Sequence, residues 1–145
     1  MRIVLDTNVL VSALISRDGP PDRVLAAIRN QRLTLVTSEA QLVELRAVLG
    51  RERLRPYIRF EEGQDLIRDL EAIGEVVADL PNVNASPDAD DNVILATAVV
   101  GQADVVVSGD KQHMLVLGQI EGIPIITASA AVAQFARVPG QGPGG

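Results

Sequence analysis

The chain has 145 residues, enough for one domain with a sizeable core, and 47% of them are apolar, which leaves little room for disorder beyond short segments. It carries no cysteine, so disulfides and a thiolate zinc site are excluded. No apolar run reaches the roughly 18 residues of a membrane helix, and no signal-peptide layout opens the chain, so a soluble cytoplasmic protein is expected. The net charge of −6 by itself disfavours a nucleic-acid partner.

Strands and helices alternate along the sequence. Residues 2–5 (RIVL) read as a strand and 7–15 as an apolar helix. A loop through Asp18, Gly19 and Pro20 leads to a helix over 21–30 that Pro21 can open, with Val24, Leu25 and Ile28 on one face. Residues 33–37 are a second strand, and Ser38 is placed to cap a helix that runs to Leu49. A helix over 61–73 repeats Leu66, Ile67, Leu70 and Ile73, and a third strand is expected over 75–80. Further on, the pattern predicts a buried helix over 89–101, a strand over 104–108, a short helix over 111–117, a strand over 124–127 and a last helix opened by Ser129. The Pro/Gly-rich end, 138–145, is expected to be flexible, leaving 1–137 as the domain. Apolar strands separated by helices predict an α/β fold: a central parallel sheet covered on both faces, with sites at the carboxyl ends of the strands.

That edge is where the acids fall. Asp6 follows the first strand directly, and Asp110 follows "DVVVSG". Glu44 interrupts an apolar helical run, and Asp91 opens the helix "DNVILATAVV" after Asp88 and Asp90. Each has a plainer explanation alone: a turn residue, an exposed helix charge, or an N-cap. Thr7, Asn8 and Ser108 can likewise be turn formers that bond nearby backbone. Together, however, four carboxylates at one edge repel one another unless a cation joins them, and oxygen ligands suit Mg2+ or Mn2+. The single histidine, His113, reads as a surface or packing residue. Basic charge concentrates over 46–59, where Arg46, Arg51, Arg53, Arg55 and Arg59 face only Glu52, and Lys111 is the only lysine among 13 basic residues. Arginine binds phosphate in a bidentate way that lysine cannot; a solvated charged loop explains the segment equally well.

Four stretches in order, "IVLDTNVLVSAL", "SEAQLVELRAVL", "DADDNVILATAV" and "DVVVSGDKQHML", resemble the PIN-domain family, in particular its toxin-like (VapC-type) members from bacterial toxin–antitoxin operons. The resemblance spans Arg2 to about Ala136. It implies a three-layer α/β/α sandwich and a metal-dependent endoribonuclease acting on single-stranded RNA. It carries the family's acidic quartet onto Asp6, Glu44, Asp91 and Asp110, with Asn8 and Ser108 at accessory polar positions and Asp88 beside them. Carboxylates of this kind hold the ion that activates water and neutralises the phosphoryl oxygens, while neighbouring polar groups orient them. Arg51, Arg53, Arg55 and Arg59 would then meet RNA or an antitoxin.

Two other functions are compatible with parts of the pattern. A haloacid-dehalogenase-like phosphatase also uses a strand-end aspartate, but needs an acid two residues later, where this chain has Asn8. A non-catalytic PIN-fold module binding RNA or protein would be marked by loss of one of the four acids. The resemblance also implies a homodimer, and Tyr57, Ile58 and Phe60 beside the arginines suit such a contact or an antitoxin contact. Ile58 and Phe60 can equally close the flank of the sheet.

Overall fold

Alternate residues of the first strand go to opposite faces, and both faces are buried. In the computed structural model, which describes residues 1–137, β1 (Arg2–Leu5) sends Ile3 and Leu5 into one core and Val4 into another. Val105 and Val107 of β4 (Val105–Val107) join Ile3 and Leu5, while Val106 joins Val4. A strand buried on both faces must be apolar at every position, which is why these runs show no polar alternation.

The first core is roofed by α1 (Thr7–Ile15), α2 (Pro20–Arg29), α3 (Glu39–Leu49), α4 (Phe60–Ile73) and α6 (Ala128–Arg137). The second lies under α5 (Ala89–Val100), through Ile94, Leu95 and Ala98. The result is the expected three-layer α/β/α sandwich.

The remaining strands are β2 (Thr34–Ser38), β3 (Glu75–Val77), β5 (Gln119–Ile120) and β6 (Ile123–Ile126). The six-stranded order is β3-β2-β1-β4-β6-β5. All neighbours are parallel except β5 and β6. The chain winds outward from β1 to β3, then crosses back under α5 to β4 on the other side of β1. The strand order therefore reverses between β1 and β4, and the crevice at their carboxyl ends is where such sheets place their sites. Asp6 follows β1, and Ser108 to Asp110 follow β4.

Several expected boundaries shift for local reasons. The third strand stops at Val77 and not at 80, because Asp79 takes a left-handed φ of 57°. Strand β5 escapes the sequence pattern because two residues cannot show a period; its signal is the turn at Glu121 (φ 46°) and Gly122 (φ 83°), the doubly left-handed conformation that joins hairpin strands. The sheet is thus mixed at that edge. The short helix expected over 111–117 is a turn followed by a 3-10 segment at Leu115–Leu117. The last helix is capped by Thr127 and not Ser129: the Ala130 N–H donates to Thr127 Oγ1 at 3.1 Å. The expected flexible segment, 138–145, lies outside the described residues.

Candidate active site

Asp6 sits where β1 becomes α1. Its own N–H donates to the Val107 carbonyl at 2.9 Å, tying the end of β1 to β4. Its carboxylate caps α1, accepting from the Asn8 N–H at 3.3 Å. Asp6 is only 5% exposed. Ser108, fully buried, donates from Oγ to Asp6 Oδ2 at 2.9 Å, and the same Oγ accepts from the Asp110 N–H at 3.0 Å. One hydroxyl thus sets the separation of the two strand-end acids.

Asp91 enters from the opposite layer. It lies in the first turn of α5, is buried, and accepts from Ser86 Oγ at 3.1 Å. Asn92 fixes Ser86 in turn, through bonds to its backbone N–H and carbonyl. Asp88 is the N-cap of α5, accepting from the Asp90 N–H at 2.9 Å.

Glu44 approaches from α3, half-buried, and α3 is held in register by two polar clips. Gln41 donates from Nε2 to the Leu5 carbonyl and accepts from Thr37 Oγ1 at 3.1 Å. Ser38, the expected cap, accepts from the Gln41 N–H and meets Thr97 Oγ1 of α5 at 2.9 Å.

Burial pushes the carboxyls of Asp6, Glu44 and Asp91 above their ordinary values. Hydrogen bonds oppose this: Ser108 and Asn8 at Asp6, Ser86 at Asp91. Neighbouring carboxylates add to it: Asp110 and Asp88 act on Asp6, Asp90 and Asp6 on Glu44, and Asp88 and Asp6 on Asp91. The Thr7 hydroxyl faces Glu44 and opposes its shift, yet this buried oxygen has no partner in hydrogen-bonding geometry. At Asp110 burial also pushes upward, but the N–H groups of His113 and Gln112, with the His113 ring, outweigh it and hold the carboxyl low.

The four expected acids along this carboxyl-end rim are linked by electrostatic influence: Asp110 acts on Asp6, and Asp6 acts on both Glu44 and Asp91. Donor atoms of Asp91, Asp110 and His113 all lie within 4.8 Å of one another, a group that takes in His113 and leaves out Asp6 and Glu44. The residues fit a divalent cation, with carboxylates from both layers, one imidazole, and an orphaned Thr7 hydroxyl. Among the described residues no lysine or arginine pairs with Asp6, Glu44, Asp88, Asp91 or Asp110, whereas Glu75, Asp69 and Glu71 away from the rim pair with Arg2, Arg29 and Arg46.

The other expected residues divide. Asn8 contributes its backbone N–H to Asp6 and lines a cavity of about 520 Å³ beside Asp110, with Ser12, Pro20 and Ser129. Arg51 and Arg53 are exposed. Arg55 turns inward, donating to the Leu49 carbonyl with its guanidinium 5.8 Å from the Phe60 ring. Arg59 closes the start of α4 with Glu62 at 3.2 Å. Tyr57 and Phe60 are exposed and Ile58 is buried in the core, so only Ile58 closes the flank. Gln41, Ser86 and Thr97 carry no sequence signal of their role.

The PIN domain family model matches residues 2–112. The chain belongs to the PIN domain family. It is 29% identical over 112 residues to the uncharacterized protein MJ1680 of Methanocaldococcus jannaschii, covering 77% of this chain and 72% of that one. Its fold is similar to a chain in the crystal structure of VapBC2 from Rickettsia felis bound to a DNA fragment from their promoter, with a TM-score of 0.56, 15% identity, and coverage of 86% of this chain and 97% of that one. No helix of the described residues is long and apolar enough to cross a membrane.

Proposed function

We propose that this PIN-family protein is a divalent-metal-dependent endoribonuclease that hydrolyses phosphodiester bonds of single-stranded RNA, acting in the cytoplasm as the toxin of a toxin–antitoxin pair. The observation that carries the reading is the uncompensated rim: buried and half-buried carboxylates from β1, α3, α5 and the turn after β4, with no arginine or lysine among the described residues to neutralise them. Such a rim is unfavourable alone and would repel a phosphate.

Asp6, Glu44, Asp91 and Asp110 would hold Mg2+ or Mn2+, which when bound supplies an activated water and neutralises charge on the phosphoryl group. The chain's own residues do the positioning. Ser108 holds Asp6 and Asp110 at a fixed separation, Ser86 orients Asp91, and the Asn8 N–H orients Asp6. The cavity lined by Asn8, Ser12 and Ser129 gives the RNA strand room beside Asp110.

Arg51 and Arg53, exposed at the 3-10 segment after α3 (Glu52–Leu54), supply phosphate or antitoxin contacts; Arg55 holds that segment from within, and Arg59 pairs with Glu62 at the surface. The likeness to a VapBC2 chain supports an antitoxin partner. The exposed Tyr57 and Phe60 suit a homodimer contact. Residues 1–137 form the catalytic domain in this reading. Single-stranded RNA cleavage that appears with Mg2+ or Mn2+ and vanishes in chelator is the expected result, and cleavage that persists in chelator contradicts it.

A further inference from the structure

His113 stands outside the acidic pattern, yet the fold aims it at the rim. Asp110 builds the turn that brings it there. Asp110 Oδ1 accepts from the Gln112 N–H at 3.0 Å and the His113 N–H at 3.1 Å, and the Asp110 carbonyl accepts from the N–H groups of Met114 and Leu115. Met114, fully buried in the core under α5, pins the far side of the turn. The His113 ring lands with Nδ1 3.3 Å from Asp110 Oδ2, its side chain 41% exposed.

Packing does not account for a side chain so open. An ion pair with Asp110 would need no third group, but Asp91, from a different element and the opposite layer, brings a carboxylate oxygen to the same point within 4.8 Å. Convergence of Asp91 from α5 with Asp110 and His113 from the turn after β4 is a ligand arrangement.

We propose that His113 is a direct ligand of the divalent ion, together with Asp91 and Asp110, and that its nitrogen biases the site toward first-row transition ions over magnesium. This rests on the metal reading above. Mg2+ takes oxygen ligands and gives up its waters reluctantly, and Mn2+ also suits oxygen ligands, whereas imidazole suits zinc, iron, nickel and copper ions. The oxygen-only set of the acidic quartet would show no such bias.

The test uses the full chain, Mn2+ as probe, and the variant His113→Ala, whose truncated ring is partly exposed, so its melting temperature in chelator should match wild type. Pulsed electron paramagnetic resonance of the Mn2+-loaded wild type should show nitrogen coupling from a coordinated imidazole, absent in His113→Ala. Zn2+ affinity, read by competition against bound Mn2+, should fall by about tenfold in the variant while Mg2+ affinity, read by the same competition, changes by less than about twofold. Mn2+ bound to wild type without nitrogen coupling overturns the inference and leaves the metal reading intact. Equal losses for both ions also overturn it, because they assign His113 to orienting Asp110. A wild type that binds neither ion overturns the metal reading and this inference together.

Discussion

Ser108 Oγ donates to Asp6 Oδ2 at 2.9 Å across the switch point of the sheet, and both residues are buried. That bond is the joint between β1 and β4 at the point where their acids must act together, since the same oxygen also receives the Asp110 N–H. Replacing Ser108 by Ala removes a lowering influence on the Asp6 carboxyl and strands the Asp110 N–H. Expected are a stability loss of about 1–3 kcal/mol and a drop of roughly 10–100-fold in metal affinity. Urea titration and calorimetry check the two, and an affinity within twofold of wild type, in a folded variant, contradicts the positioning role.

The raised carboxyls make a signed prediction about pH. Asp6 binds its proton more tightly in the folded than in the unfolded chain, with burial as the main cause. Its contribution to stability is therefore fully present below the ordinary carboxylate value, near 4, and is lost as pH rises through the raised folded value. Asp110, held low, works the other way: its contribution is lost as pH falls through its folded value. In chelator, the melting-temperature difference between Asp6→Asn and wild type should grow in the variant's favour as pH rises from about 4. Mn2+ should close the gap by stabilising wild type alone. A pH-independent difference contradicts this assignment.

Gln41 is expected to matter although it touches no acid. It spans the Leu5 carbonyl and the Thr37 hydroxyl inside the protein, 2% exposed. Gln41→Ala leaves both without a partner, which costs about 1–3 kcal/mol for the unsatisfied groups, and loosens α3 beneath Glu44. Chemical denaturation should show the loss, and activity should fall further than stability alone explains. A midpoint equal to wild type contradicts the clip.

How much of this was legible in sequence follows from what each residue's role depends on. Asp6 and Asp110 are legible because a continuous apolar strand ends immediately before them, and topology sends strand ends to the crevice. Glu44 stands out only as a charge in an apolar run; its aim depends on Gln41 and Ser38 fixing α3, which no spacing reveals. His113 reads as a surface residue because its direction is set by backbone bonds to the Asp110 side chain. Arg55 and Arg59 look like free cations in a charged run, yet Arg55 is drawn inward by the Leu49 carbonyl, and Arg59, still exposed, pairs with Glu62. The three-layer architecture is legible throughout, while the hairpin at Glu121 and Gly122 is too short to show a period.

The arginine segment consequently splits by experiment. Arg51→Gln with Arg53→Gln should leave the melting temperature unchanged and reduce the salt slope of RNA binding by about 0.7 for each phosphate no longer neutralised. Arg55→Gln should instead destabilise, because it breaks an internal bond and the packing on Phe60. An unchanged slope together with failure to bind the antitoxin would move Arg51 and Arg53 from RNA to the protein partner.

If the acidic rim performs the chemistry, Asp91 is the residue that shows it most directly, since it is buried, belongs to the layer opposite Asp6, and is replaceable by Asn at nearly constant shape. The measurement is the cleavage rate of labelled single-stranded RNA by wild type and Asp91→Asn in saturating Mn2+, with circular dichroism confirming that both are folded. The expected result is a fall of at least about a hundredfold, the scale on which removal of metal-site groups acts. A folded Asp91→Asn protein that cleaves within about tenfold of wild type would contradict a catalytic rim.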